Sequence, residues 1–213
     1  MFEQRLTENA KNILGILAKI TPPGSYLAGG TALALWIDHR NSYDLDIYSP
    51  IEFNLEEVKQ KFNSKIPSFQ PISTSWQTLH GRSGDTEISL FFYQYKLLGE
   101  LTSHLNFSIA SVEDIAAMKL EAIAGRGLKR DFFDLYKIIE KKNWSLEYVL
   151  ELNDRKYARE GSFTPHLLRS LVYFDDAEKL PERAVEVDRD WEEVKQFFVQ
   201  KVSAMTKESL FSL

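Results

Sequence analysis

The sequence predicts an α+β protein, with strands and helices interleaved over residues 1–110 and helices alone over 111–213. Three observations carry this expectation. Tyr43–Tyr48 alternates polar and apolar residues with the two-residue period of a half-buried strand. Tyr26–Ala28 is a short apolar run that stops at two glycines and passes into helix-forming residues. Beyond Ser108 the apolar residues recur at three- and four-residue steps, the period of a helix face.

Taken in order, Glu3 to Ile20 reads as an amphipathic helix, with Leu6, Ala10, Ile13, Leu14, Leu17 and Ile20 on one side. Thr21-Pro22-Pro23-Gly24 ends it. The strand Tyr26–Ala28, the glycine turn and a helix from Thr31 to Ile37 follow. In the strand Tyr43–Tyr48, Leu45 and Ile47 fall on one face and Asp44 and Asp46 on the other. Asn54 to Phe62 reads as a helix capped by Asn54, with Glu56 and Glu57 in its first turn. Ser75–Gly81 and Thr86–Tyr95 read as a hairpin around Arg82–Asp85.

Ser111-Val112-Glu113-Asp114 has the form of a capping box and opens a helix through Met118, Lys119 and Ile123. Gly125-Arg126-Gly127 interrupts it. A second helix spans Lys129 to Lys142, burying Phe132, Phe133, Leu135, Ile138 and Ile139. Further helices are expected at Ser145–Leu152, Thr164–Phe174 and Trp191–Val202. No repeat or long linker divides the chain, so the helical part is expected to pack on the α/β core.

Composition narrows the function. There are no cysteines, which excludes disulfides, thiolate metal sites and cysteine nucleophiles. The four histidines have no metal-ligand spacing. A net charge of -5 argues against a broadly basic nucleic-acid surface, so an RNA partner would meet a local patch or a metal ion. No apolar run approaches a membrane span and the first residues do not resemble a signal peptide, so a cytoplasmic location and no membrane partner are expected.

The residues that carry chemistry are few. Strand alternation projects Asp44 and Asp46 from one face about 7 Å apart, a spacing at which two carboxylates can share Mg²⁺. Gly29-Gly30-Thr31 lies between strand and helix, where backbone amides can approach phosphate oxygens and the helix N-terminus favours negative charge. Arg40 and Ser42 precede the carboxylate strand; Arg40 can meet a phosphate, and Ser42 can equally cap the strand. Asp131 and Asp134 share one helix face. Arg130 and Asp134 are spaced for a plain surface ion pair, and Phe132 and Phe133 match the core face rather than a base-stacking platform.

Leu27-Ala28-Gly29-Gly30-Thr31-Ala32-Leu33-Ala34-Leu35, followed by His39-Arg40-Asn41-Ser42-Tyr43-Asp44-Leu45-Asp46, resembles the Gly-Gly and Asp-x-Asp signature of polymerase-beta-like nucleotidyltransferases. With the blocks Ser111–Ala122, Gly125–Leu135 and Tyr173–Glu178, the chain is similar to the AbiEii/AbiGii toxin nucleotidyltransferases of type IV toxin–antitoxin systems. The resemblance implies a nucleotidyltransferase fold, with a mixed sheet flanked by helices and a C-terminal helical part. It implies transfer of a nucleoside monophosphate from a nucleoside triphosphate to an acceptor, tRNA in the better-known members, with Mg²⁺ or Mn²⁺ as cofactor and a cognate antitoxin as partner.

Carried over by position, Asp44 and Asp46 would hold the metal and Gly29, Gly30 and Thr31 the triphosphate. Lys119, Asp131 and Asp134 would complete the catalytic set, with Arg40, Ser42, Arg126 and Arg130 binding the nucleotide. One position departs from the superfamily pattern: the residue aligned to a third acid is Ser89, a poor base and weak Mg²⁺ ligand. Glu87, two residues earlier on the same face, or Asp131 would have to replace it. Ser89 also motivates a second expectation, a nucleotide- or partner-binding module without turnover. A small-molecule nucleotidyltransferase is a third.

Overall fold

The computed structural model describes residues 1–159, 163–182 and 184–211. They form two compact units, Met1–Ser111 and Val112–Leu213.

The first unit is built on a seven-stranded sheet. Helix α1 spans Glu8–Ile20, strand β1 Tyr26–Ala28, helix α2 Gly29–Ile37, strand β2 Asp44–Ser49 and helix α3 Leu55–Lys65. The strands β3 (Gln70–Ser75), β4 (Thr78–Ser83), β5 (Thr86–Phe92), β6 (Thr102–His104) and β7 (Phe107–Ile109) complete it. Their order is β3-β4-β5-β2-β1-β7-β6. β2 runs antiparallel to β1 and parallel to β5, and β1 runs parallel to β7, so the sheet is mixed.

Alternation along the central strands separates core from site. Leu45, Ile47, Ile88, Leu90 and Leu79 are fully buried, and each such aliphatic side chain contributes about 1.5–3 kcal/mol through burial. The intervening residues Asp44, Asp46 and Glu87 remain half-buried. α1 buries Ile13, Leu14 and Leu17, and α3 buries Val58 and Phe62.

Several boundaries differ from the sequence expectation for local reasons. α1 begins at Glu8 because the Thr7 side chain accepts a hydrogen bond from the Ala10 amide; Glu3–Arg5 is a separate 3-10 turn. Asn54 caps α3 as expected, accepting from Glu56 and Glu57 amides. The hairpin is tighter than expected, with Ser83 paired to Thr86, and β3 is an additional strand in front of it. β3 exposes all six residues and contains Pro71, so no alternation announces it. β6 and β7 are too short to show a period.

The second unit is helical: α4 Val112–Gly125, α5 Lys129–Lys142, α6 Leu146–Tyr157, α7 Thr164–Ser170, α8 Asp175–Glu178, α9 Val185–Arg189 and α10 Trp191–Phe211. Gly127 adopts a φ of +55° between α4 and α5, a left-handed conformation that glycine adopts without strain. Phe132 lies at the centre of an aromatic cluster, 5.4 Å from Phe174, 5.7 Å from Trp191 and 5.8 Å from Phe198. Phe132 and Phe133 are buried, as their spacing predicts.

Polar contacts join α4 to α6. The buried Lys156 ammonium donates to Asp114 at 2.6 Å, and Asn153 donates to the Ala117 carbonyl at 3.2 Å. Just past α6, Arg159 makes a two-pronged contact with Glu121, at 2.7 and 2.8 Å. Among the described residues no helix is long and apolar enough to cross a membrane.

Candidate functional site

Seven of the residues singled out in the sequence converge in the first unit. The antiparallel register pairs Ala28 with Asp46, which brings the Asp46 carboxylate against the turn that follows β1. Gly29 has a φ of +70°, and a Cβ placed there would stand 2.5 Å from Asp46 Oδ2. At Gly30 a Cβ would collide with the Arg40 guanidinium and meet Ser42 Oγ at 3.3 Å. Gly29 is favoured both by its left-handed φ and by the approach of Asp46, while at Gly30 a side chain would force the Arg40 guanidinium to move.

α2 starts at Gly29 with no side chain capping its N-terminus. Its leading amides carry the partial positive charge of a helix start. The Thr31 hydroxyl is engaged within the protein, which leaves its amide as the group at the start of α2. Thr31 is buried, its Oγ1 lies 2.8 Å from Ser42 Oγ, and it donates to the Asp44 carbonyl. This ties the start of α2 to the start of the carboxylate strand. Arg40 is buried and donates to the Asn41 carbonyl at 3.0 Å.

The parallel register places Glu87 beside Asp44 and Ser89 beside Asp46. On the next strand His80 is opposite Ser89, with Nδ1 3.0 Å from Ser89 Oγ and Nε2 4.0 Å from Glu87 Oε2. Sequence reading missed His80 as a member of this face. The expected turn at Arg82–Asp85 would set His80 opposite Glu87; the tighter Ser83–Thr86 pairing moves it opposite Ser89.

A resident Mg²⁺ is compatible with this donor set. Asp44 and Asp46 offer hard oxygens on one half-buried face, and Mg²⁺ takes one or two protein carboxylates with water and substrate phosphate completing its shell. Among the described residues no group of three His, Asp or Glu side chains could enclose a metal. An all-protein cage is not needed for an ion that shares its ligands with a phosphate.

In the second unit Lys119, Arg126, Asp131 and Asp134 come together. Lys119, on α4, is buried, with its ammonium 2.9 Å from Asp131 Oδ1 and 2.7 Å from Asp134 Oδ2. Both carboxylates are fully buried. Arg126 reaches Asp131 from the loop, its Nε 3.1 Å from Oδ2. Burial alone would raise the Asp131 pKa, but the charges and hydrogen bonds of Lys119 and Arg126 outweigh it and hold the group below its ordinary value. The surface pair that spacing suggests for Arg130 and Asp134 gives way to a buried one, because α4 presents Lys119 to the Asp134 carboxylate. Arg130 is half-buried on the same helix.

The family model described as nucleotidyl transferase AbiEii toxin, type IV toxin–antitoxin system, matches residues 92–210, more than half of the chain and including the Lys119–Asp134 cluster. An uncharacterized protein of Aquifex aeolicus (strain VF5), aq_aa25, is 38% identical over 181 residues, covering 83% of this chain and 85% of that protein. In three dimensions the chain is similar to MenT4, the nucleotidyltransferase toxin Rv2826c from Mycobacterium tuberculosis H37Rv. The TM-score is 0.55 at 16% identity, over 91% of this chain and 81% of that one. That likeness establishes the nucleotidyltransferase fold that the sequence predicted. With the fold and the matched span together, the chain belongs to the AbiEii nucleotidyltransferase toxin family.

Proposed function

We propose that the protein transfers a nucleoside monophosphate from a nucleoside triphosphate to an RNA acceptor of the tRNA class, as the toxin of a type IV toxin–antitoxin system acting in the cytoplasm. The observation that carries this reading is the meeting of Asp46 with the Gly29 turn, beside Asp44 on one half-buried sheet face. A phosphate cradle and a two-carboxylate strand in contact are what a metal–triphosphate substrate requires.

In this reading Asp44 and Asp46 hold Mg²⁺ or Mn²⁺, which when bound neutralises the triphosphate charge. The amides of Gly29, Gly30 and Thr31 receive phosphate oxygens at the uncapped start of α2. Arg40, held against Gly30 beside Ser42, adds a fixed positive charge there. Lys119, Arg126 and Arg130 bind nucleotide phosphates. Asp131 and Asp134 hold the Lys119 ammonium in place, and a preorganised cation acts on developing charge without reorganisation cost.

The acceptor hydroxyl oxygen forms a bond to the α-phosphorus as the bond to the bridging oxygen breaks, and pyrophosphate leaves with that electron pair. Glu87, beside Asp44, takes the hydroxyl proton in place of the acid absent at Ser89. His80, near both Ser89 and Glu87, orients this pair.

The test is incubation of the protein with Mg²⁺, total RNA and each nucleoside triphosphate labelled at its α-phosphate. Label in the tRNA fraction is the expected result, and no label with any of them would overturn the reading. One observation favours a second reading, a binding module without turnover: Ser89, not an acid, faces Asp46. Nucleotide binding with no transfer, together with a cellular effect that survives Asp44→Ala and Asp46→Ala, would establish it. A cognate antitoxin is expected to relieve toxicity on co-expression.

A further inference from the structure

The helical unit contains a cavity of about 270 Å³ between the turn after α4 and helix α7; it draws on the Gly125–Leu135 and Tyr173–Glu178 blocks and adds His166, Arg169 and Ser170, which no sequence motif singles out. Its polar wall is Arg126, His166, Arg169, Ser170, Tyr173 and Asp176. Arg126, His166 and Arg169 are exposed, and the Tyr173 side chain is 49% exposed. Among the described residues Asp176 is the one carboxylate in the wall, and it lies 2.7 Å from the Lys179 ammonium. Arg126 also contacts Asp131, so the cavity adjoins the buried Lys119 cluster directly.

Arg169 offers a planar guanidinium fork that matches phosphate oxygens, and Arg126, whose Nε and Nη2 already meet Asp131, has further N–H groups for the same phosphate. An exposed aromatic ring beside them offers a stacking surface, and base–aromatic stacking with backbone charge contacts is how single-stranded nucleic acid is held. The volume is at the small end of small-molecule sites, room for one unit rather than a duplex. A duplex would also want a broad basic face, which a chain of net charge -5 does not favour.

We propose that this cavity is a subsite for a single nucleotide unit, with its phosphate on Arg126 and Arg169 and its base on Tyr173. The unit comes either from the end of a single-stranded RNA or from the free triphosphate. This rests on the proposed transfer to RNA and assigns that reaction a binding place in the helical unit.

The test uses the full chain, with Arg169→Ala, Tyr173→Ala and Tyr173→Phe as variants of exposed residues whose fold is checked by thermal unfolding. A short single-stranded RNA and a non-hydrolysable nucleoside triphosphate are titrated separately at several salt concentrations. Arg169→Ala and Tyr173→Ala are expected to weaken one of the two about tenfold, with Tyr173→Phe retaining affinity. If the RNA is the ligand, Arg169→Ala also makes log affinity against log salt shallower by about 0.7. Loss of RNA affinity identifies an acceptor-strand subsite, and loss of triphosphate affinity a donor subsite. Affinities for both ligands within about twofold of the wild type, or a wild-type chain that binds neither, would overturn the proposal. Label transfer by the wild type with unaffected variants sinks the cavity alone. Arg169-dependent binding without transfer sinks the transfer reading alone.

Discussion

Asp44 and Glu87 are register partners across the parallel strands β2 and β5, and their side chains leave the sheet on the same face. In the proposed transfer the acid is displaced by one two-residue step, from Ser89 to Glu87. Glu87→Gln is expected to lower the rate of label transfer at least about a hundredfold, the usual contribution of a positioned base. Ser89→Ala should leave most activity. Full activity in Glu87→Gln would remove Glu87 from the mechanism.

Asp44→Asn and Asp46→Asn keep the side-chain volume and remove the charge. Because both positions are half-exposed, the fold should survive. Calorimetric Mn²⁺ binding in the presence of a non-hydrolysable triphosphate should weaken by about tenfold or more in each. Unchanged Mn²⁺ affinity in both would place the metal elsewhere.

Lys119 neutralises two buried carboxylates, so Lys119→Met leaves both without their shared cation. A loss of about 3–5 kcal/mol of stability is expected in denaturant melts. The acid profile gives a second readout. Asp131 titrates below its ordinary value of 3.8 in the folded protein, so its contribution is complete above 3.8 and is lost as pH falls through the lower folded value. Without Lys119 only Arg126 opposes burial, which is already the largest single influence, and the profile should shift toward higher pH. An acid transition identical to the wild type would contradict this.

Two glycine substitutions should have opposite signs. Gly29→Ala meets both a φ of +70° and the Asp46 carboxylate, and is expected to cost at least about 1 kcal/mol and suppress transfer. Gly15→Ala, inside α1 with nothing within 4 Å of the added methyl, should gain about 0.5–1 kcal/mol. Thermal unfolding of the pair measures both.

The legible parts of the molecule were those where side-chain period and local chemistry agree. β2 was readable because Leu45 and Ile47 face the core while Asp44 and Asp46 do not. The turn at Gly29 and the break at Gly125–Gly127 were readable from glycine placement. Partnerships set by tertiary register were not: His80 joins Ser89 only once β4 and β5 are paired, and Lys119 finds Asp134 only once α4 and α5 are packed. The cavity was announced only in part: Arg126 and Tyr173 lie in blocks that carry the family likeness, whereas His166 and Arg169, on the short α7, belong to no motif.

The contacts between α4 and α6 bear on Lys119 without touching it. A slide of α6 along α4 by one turn would withdraw Lys156 from Asp114 and strand a fully buried charge, at a cost of several kcal/mol. It would also break the Asn153 bond to the Ala117 carbonyl, two residues from Lys119. The two helices therefore have one axial setting, indexed like a key in its ward. The setting of α6 along α4, the helix that carries Lys119, is thus fixed by Asp114, Asn153 and Lys156, and a survey of inactive variants should find some of them at these three positions.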